Sequence, residues 1–148
     1  MSTANDEMQK LYHEEIMKHA RKPVHYGLLK APDMARNAVN ASCGDTLSLS
    51  ISVKDGNIDG IGFEGEGCAL SIASASLLAE AVNGMPVEAA VKMIHAFLSA
   101  GEDIADFAAH HPEFGCLVKA VSLSTRRTCV HLAWELLREI LDETAAFS

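Results

Sequence analysis

Three of the four cysteines of this 148-residue chain sit in segments far apart along it: Asn40-Ala41-Ser42-Cys43-Gly44-Asp45, Gly65-Glu66-Gly67-Cys68-Ala69-Leu70-Ser71 and Arg126-Arg127-Thr128-Cys129. Asp45 stands two residues after the first of them. Three thiols and one carboxylate make a four-ligand set for a thiophilic ion such as Zn²⁺. A thiol that leaves such a set becomes a nucleophile able to exchange sulfur. Cys43 and Cys68 adjoin glycines and Cys129 follows two arginines, which separates them from cysteines that only fill a core. Without a local Cys-x-x-Cys pair, spacing alone leaves a metal site and plain packing as even alternatives. Cys116, in Phe114-Gly115-Cys116-Leu117, carries only the packing signal and is read as core filler.

Period and punctuation predict the elements that hold these residues. A polar, frayed start at 1–6 gives way to a helix over residues 7–20, with Met8, Leu11, Tyr12, Ile16, His19 and Ala20 on its apolar side and Pro23 and Gly27 ending it. Residues 46–53 alternate Leu47, Leu49, Ile51 and Val53 with polar partners, as a half-buried strand does. Asp55-Gly56-Asn57 turns the chain into an antiparallel strand through Ile58, Ile61 and Phe63, and a weaker strand signal lies at 34–41. Gly65-Glu66-Gly67 then leads into a helix over 68–82. Cys68 opens that helix, where unpaired N–H groups and the dipole favour a thiolate.

Asn83-Gly84 ends this helix and Pro86 begins another, running to about residue 100. A short helical piece over 101–111 stops at Pro112. The last helix spans 126–143, with Val130, Ala133, Trp134, Leu137, Ile140 and Leu141 on one face. Cys129 is then expected in its first turn, with Ser124 or Thr125 as N-cap. The order of elements predicts a single α+β domain over 1–148, without βαβ alternation.

Several function classes drop out. The chain is 49% apolar, enough for a core that does not need metal as a staple. Its net charge of −8 disfavours a nucleic-acid partner. No stretch of 18 apolar residues and no leader pattern occurs, so a cytoplasmic chain with reduced thiols and no membrane partner is expected. Gly65-x-Gly67 lacks the third glycine and the lysine of a nucleotide cradle. His110-His111 read as solvated, as do Glu135, Glu139, Asp142 and Glu143, while Met85 and Met93 read as gap-fillers. His131 falls about 200° around the helix from Cys129, which argues against a Cys–His nucleophile pair.

The combination of motifs resembles the iron–sulfur cluster assembly proteins of the IscU/NifU superfamily, and within them the SufU branch. The likeness runs from about residue 11 to residue 141. It rests on Leu11-Tyr12 through Ile16-Met17-x-His19, Cys43-Gly44-Asp45, Phe63-Glu64-Gly65-Glu66-Gly67-Cys68, Ser71-Ile72-Ala73-Ser74-Ala75-Ser76 and Arg126-x-x-Cys129 with Leu132-Ala133-Trp134. An insert at about 100–120, Thr128 where the IscU type carries histidine, and Arg126 three residues before the last cysteine select the branch. The resemblance implies a three-stranded antiparallel sheet packed against several helices. It also implies a zinc site of Cys43, Asp45, Cys68 and Cys129. The implied activity is acceptance of persulfide sulfur from a SufS-type cysteine desulfurase, with a downstream iron–sulfur scaffold or apo-protein as recipient. Cys43 is read as the acceptor and Arg126 as a charged aid beside it. The other function left open is a scaffold on which the same residues hold a transient [2Fe–2S] cluster. Two elements depart from the family pattern: Ala41 replaces a proline before Cys43, and Lys22-Pro23-Val24-His25-Tyr26-Gly27 replaces an Asn-Pro-Arg-Asn-x-Gly element.

Overall fold

The computed structural model describes residues 3–40 and 44–146. The alternating segment forms the middle strand of an antiparallel sheet ordered β1-β2-β3, with β1 at Met34–Asn40, β2 at Asp45–Lys54 and β3 at Asn57–Glu66. Leu49 pairs with Phe63 and Ile51 with Ile61. Directly opposed residues share a face, so these four and Leu47 form one apolar surface, each at most 2% exposed. Asp55 and Gly56 have φ of 54° and 79°, the two left-handed residues of a type I′ hairpin. The weak strand signal is real: β1 pairs with β2 along its whole length.

Among the described residues there are six α-helices: α1 at Thr3–Arg21, α2 at Ala69–Val82, α3 at Val87–Ser99, α4 at Ala105–His110, α5 at Val118–Ser122, where none was expected, and α6 at Ser124–Ala146. α6 packs on β1 and β2, α2 packs on β3, and α1 lies against α2. The α+β reading and the three-stranded sheet packed by helices are both borne out. No helix among the described residues is long and apolar enough to cross a membrane.

Below the sheet, Trp134 of α6 stacks on Phe97 of α3 with ring centroids 3.7 Å apart, and Phe107 and Phe114 meet the indole edge-on. The indole N–H donates to Ser74 Oγ at 3.0 Å, and Ser74 donates on to the Val130 carbonyl at 2.8 Å. One polar chain therefore ties α2 to α6 inside an otherwise apolar cluster.

Four further details differ from the sequence reading. α1 starts ahead of the expected residue 7, and it is packed through Tyr12, Ile16 and His19 while Met8 and Leu11 face outward. The i, i+4 pair at 12 and 16 decides which face is buried. Between α4 and α5 lies an unforeseen 3-10 helix at Pro112–Leu117, which buries Phe114, Cys116 and Leu117. Its three-residue turn hides from a search for 3.6-residue periodicity. His111 is half-buried, stacked on Phe107 at 4.5 Å, although His110 is exposed. Glu139 and Glu143 of the expected solvated face pair with Arg36 of β1.

Candidate metal centre

The sheet delivers Asp45 and the start of α2 to the same end of the molecule. Asp45 is the first residue of β2, and β2 pairs with β3 up to Thr46↔Glu66. The chain leaves β3 at Glu66, passes Gly67 and enters α2 with Cys68 as its N-cap. Gly67 packs against the carboxylate so closely that a Cβ there would stand 2.6 Å from Asp45 Oδ1. Any larger residue would push the carboxylate away. Asp45 is 2% exposed, and its Oδ1 accepts the Cys68 backbone N–H at 3.0 Å.

Cys129 reaches the same place from α6. Ligand atoms of Asp45, Cys68 and Cys129 all lie within 4.8 Å of one another, with Cys68 Sγ 3.8 Å from Asp45 Oδ2. Tetrahedral zinc with Zn–S bonds of 2.3 Å wants sulfurs about 3.7 Å apart. Two sulfurs and one oxygen at this spacing fit such an ion after a small contraction. Asp45 and Cys129 are buried while Cys68 is exposed, so the cluster opens to solvent at the Cys68 side. Cys43 lies outside the described residues. Gly44, directly after it, takes φ of 71° and donates its N–H to the Asn40 carbonyl at 2.8 Å.

The expected position of Cys129 needs correction. α6 begins at Ser124, so Cys129 lies in its second turn, and its thiol is 3.9 Å from the Thr125 carbonyl. Neither Ser124 nor Thr125 is the N-cap, because the Leu123 carbonyl already accepts the N–H groups of Arg126 and Arg127 at 3.0 and 2.8 Å. The field at a helix end falls off within the first turn, so Cys68 stands at the start of α2 while Cys129 lies beyond the first turn of α6.

Arg126 is exposed and lines a groove of about 410 Å³ with Tyr12, Ala69, Leu70, Cys116 and Lys119. The groove thus reaches the two residues that follow Cys68. Arg127 is occupied elsewhere, its Nε donating to the Val121 carbonyl at 2.7 Å. Cys116 stays apart from the three clustered side chains: it is 5% exposed, and burial, with the Glu15 carboxylate adding, pushes its thiol up to about 11. His131 meets Phe97 edge-on at 5.5 Å, and burial, then the Arg127 charge, holds its imidazole below its ordinary pKa.

Ser71 is the member of this centre that sequence reasoning passed over as a site residue. Its hydroxyl donates to Asp45 Oδ2, and its backbone N–H points at Cys68 Sγ at 3.4 Å. The signal was available: Ser71 stands three residues after an N-cap, where the backbone N–H characteristically reaches back to the capping side chain.

A three-stranded antiparallel sheet carries at one end a thiol–carboxylate cluster, fed by β2, α2 and α6, that could hold a metal ion. Residues 11–116 match the family of NifU-like N terminal domains, and the chain belongs to that family. It is 30% identical over 145 residues to the iron–sulfur cluster assembly scaffold protein IscU of Streptococcus pyogenes, covering 96% of this chain and 89% of that one. It is 28% identical over 137 residues to the zinc-dependent sulfurtransferase SufU of Bacillus subtilis, covering 91% and 92%. The crystal structure of a hypothetical protein superposes with a TM-score of 0.82 at 29% identity, over 90% of this chain and 98% of that one.

Proposed function

We propose that this chain serves iron–sulfur cluster assembly as a zinc-dependent sulfurtransferase, taking persulfide sulfur from a SufS-type cysteine desulfurase. The observation that carries this reading is the convergence of Asp45, Cys68 and Cys129. Cys43 is the fourth ligand by its place two residues before Asp45. Zinc, when bound, keeps these thiols as thiolates in a form that does not change redox state.

Cys68 is engaged as a helix cap and Cys129 belongs to the body of α6. Cys43 stands beside Gly44 in the sequence, and on that ground it is taken as the thiol that leaves the ion most readily. Its thiolate attacks the terminal sulfur of the donor's persulfide. A new S–S bond forms at Cys43, the donor's S–S bond breaks, and the donor cysteine departs as a thiolate. Arg126 lends positive charge beside a centre whose formal charge with zinc is about −2. The sulfur passes to a downstream iron–sulfur scaffold or apo-protein, and this chemistry belongs in the reducing cytoplasm.

A [2Fe–2S] scaffold role on the same residues is the second reading, favoured by the likeness to the streptococcal scaffold protein. Thr128 weighs for transfer: in the position where the IscU type carries histidine, it offers a hydroxyl that donates to its own helix, at Thr125 O, 2.9 Å away.

Incubation with desulfurase and cysteine, followed by mass spectrometric mapping, tests the reading. Persulfide is expected on Cys43, and Arg126→Ala is expected to slow its formation while zinc is retained. Persulfide on Cys68, Cys129 or Cys116 with Cys43 unmodified contradicts the mechanism.

A further inference from the structure

The Asp45 carboxylate is buried and both of its oxygens are held by the first turn of one helix. Oδ1 takes the backbone N–H of Cys68 at 3.0 Å, and Oδ2 takes the hydroxyl of Ser71. Ser71 also faces the neighbouring thiol twice, through its backbone N–H and its Oγ, each 3.4 Å from Cys68 Sγ. Ser71 has a single hydroxyl proton, and Asp45 receives it. Toward Cys68 the hydroxyl is therefore an acceptor, and the one S–H of the uncharged thiol has both it and Asp45 Oδ2 within reach. With a thiolate at position 68, only the backbone N–H of Ser71 still bonds to the sulfur, and the hydroxyl remains on Asp45.

We propose that Ser71 is the positioning residue of the metal centre. A carboxylate on a strand end is free to turn about its last torsion, and a thiol on a helix cap is free to change rotamer. Ser71 restrains both at once, and at 4% exposure it is itself shielded from water that would compete for these bonds. Oδ1 takes a backbone donor and Oδ2 faces both the Ser71 hydroxyl and Cys68 Sγ, so the carboxylate is held toward the thiol. Gly67 completes the arrangement by leaving the space that the carboxylate fills. The two side chains reach a metal already oriented, and outer-shell hydrogen bonds of this kind govern metal affinity as ligand identity does.

This inference rests on the zinc reading above. The test measures zinc affinity by competition against a chromogenic chelator, and the absorption bands of the cobalt-substituted protein, for wild type, Ser71→Ala and Ser71→Thr. Ser71→Ala is expected to bind zinc about 10–100-fold more weakly and to shift the cobalt bands, because the Asp45 carboxylate loses its orientation. Ser71→Thr, which keeps the hydroxyl, is expected to restore most of the affinity and the wild-type bands. Cooperative melting of the metal-free Ser71→Ala variant is expected to persist. Wild-type affinity and unshifted bands in Ser71→Ala overturn the positioning role and leave the zinc reading standing. Loss of affinity only in step with loss of cooperative melting also overturns it, as a packing effect. A wild-type protein that takes up neither metal overturns the zinc reading itself, and the positioning role with it.

Discussion

The aromatic cluster around Trp134 and the polar end around Asp45 share two helices, α2 and α6, and draw on them a turn or so apart. In the cluster, Trp134, Phe97 and Phe114 are fully buried and held by ring packing, with one hydrogen-bonded link through Ser74. At the polar end, Asp45 and Ser71 are buried, Cys68 is exposed, and the order comes from a few directed hydrogen bonds. The cluster's energy is non-directional and spread over large areas. The polar end gains little net stability, because its hydrogen bonds replace bonds to water. Folding energy is thus separated from the thiol–carboxylate cluster, and the Trp134–Ser74–Val130 chain fixes α2, which follows Cys68, against α6, which carries Cys129.

The largest effect is expected where the two regions are coupled. Trp134→Ala removes the stacked indole and its N–H bond to Ser74 Oγ, which keeps its own bond to the Val130 carbonyl, and is expected to cost about 3–5 kcal/mol in urea unfolding. A loss below about 1 kcal/mol contradicts the assignment of stability to this cluster. Chelation is expected to do less. A site held at a hundredfold excess over its Kd contributes about 2.7 kcal/mol, so stripped protein should melt lower yet still cooperatively. Loss of helical circular dichroism on chelation breaks the separation and makes the metal a structural staple.

Cys116 sharpens the comparison at alkaline pH. Its thiol sits at about 11 in the fold against 9.0 for an ordinary one, chiefly through burial. The folded state then holds its proton longer than the unfolded chain. Its contribution is complete below pH 9 and is lost as pH rises toward 11, on the order of 2 kcal/mol. Unfolding measured across that window should steepen in wild type relative to Cys116→Ala. Identical slopes contradict the buried placement.

Much of this was legible before the fold was known. The strands followed from alternation at 46–53 and the Asp55-Gly56 turn, and α2 from the glycines that precede Cys68. The structure brings ligand atoms of Asp45, Cys68 and Cys129 within 4.8 Å of one another, where spacing alone left a metal site and plain packing as even alternatives. The start of α6 was misread because Ser124-Thr125 looks like a capping pair, whereas α5 turns directly into α6 and the Leu123 carbonyl does that work. Segment 112–122 was missed because its apolar residues recur at three-residue spacing in short turns. Ser71 was passed over because its role depends on Asp45, a residue 26 positions away that only sheet register brings near.

Metal analysis of protein purified without added metal, read with its visible spectrum, bears most directly on zinc-dependent sulfur transfer. About one zinc per chain and a colourless protein are expected from a site of three thiolates and a carboxylate. A brown protein carrying iron and sulfide in place of zinc contradicts the transfer reading and makes the same residues the cradle of a cluster.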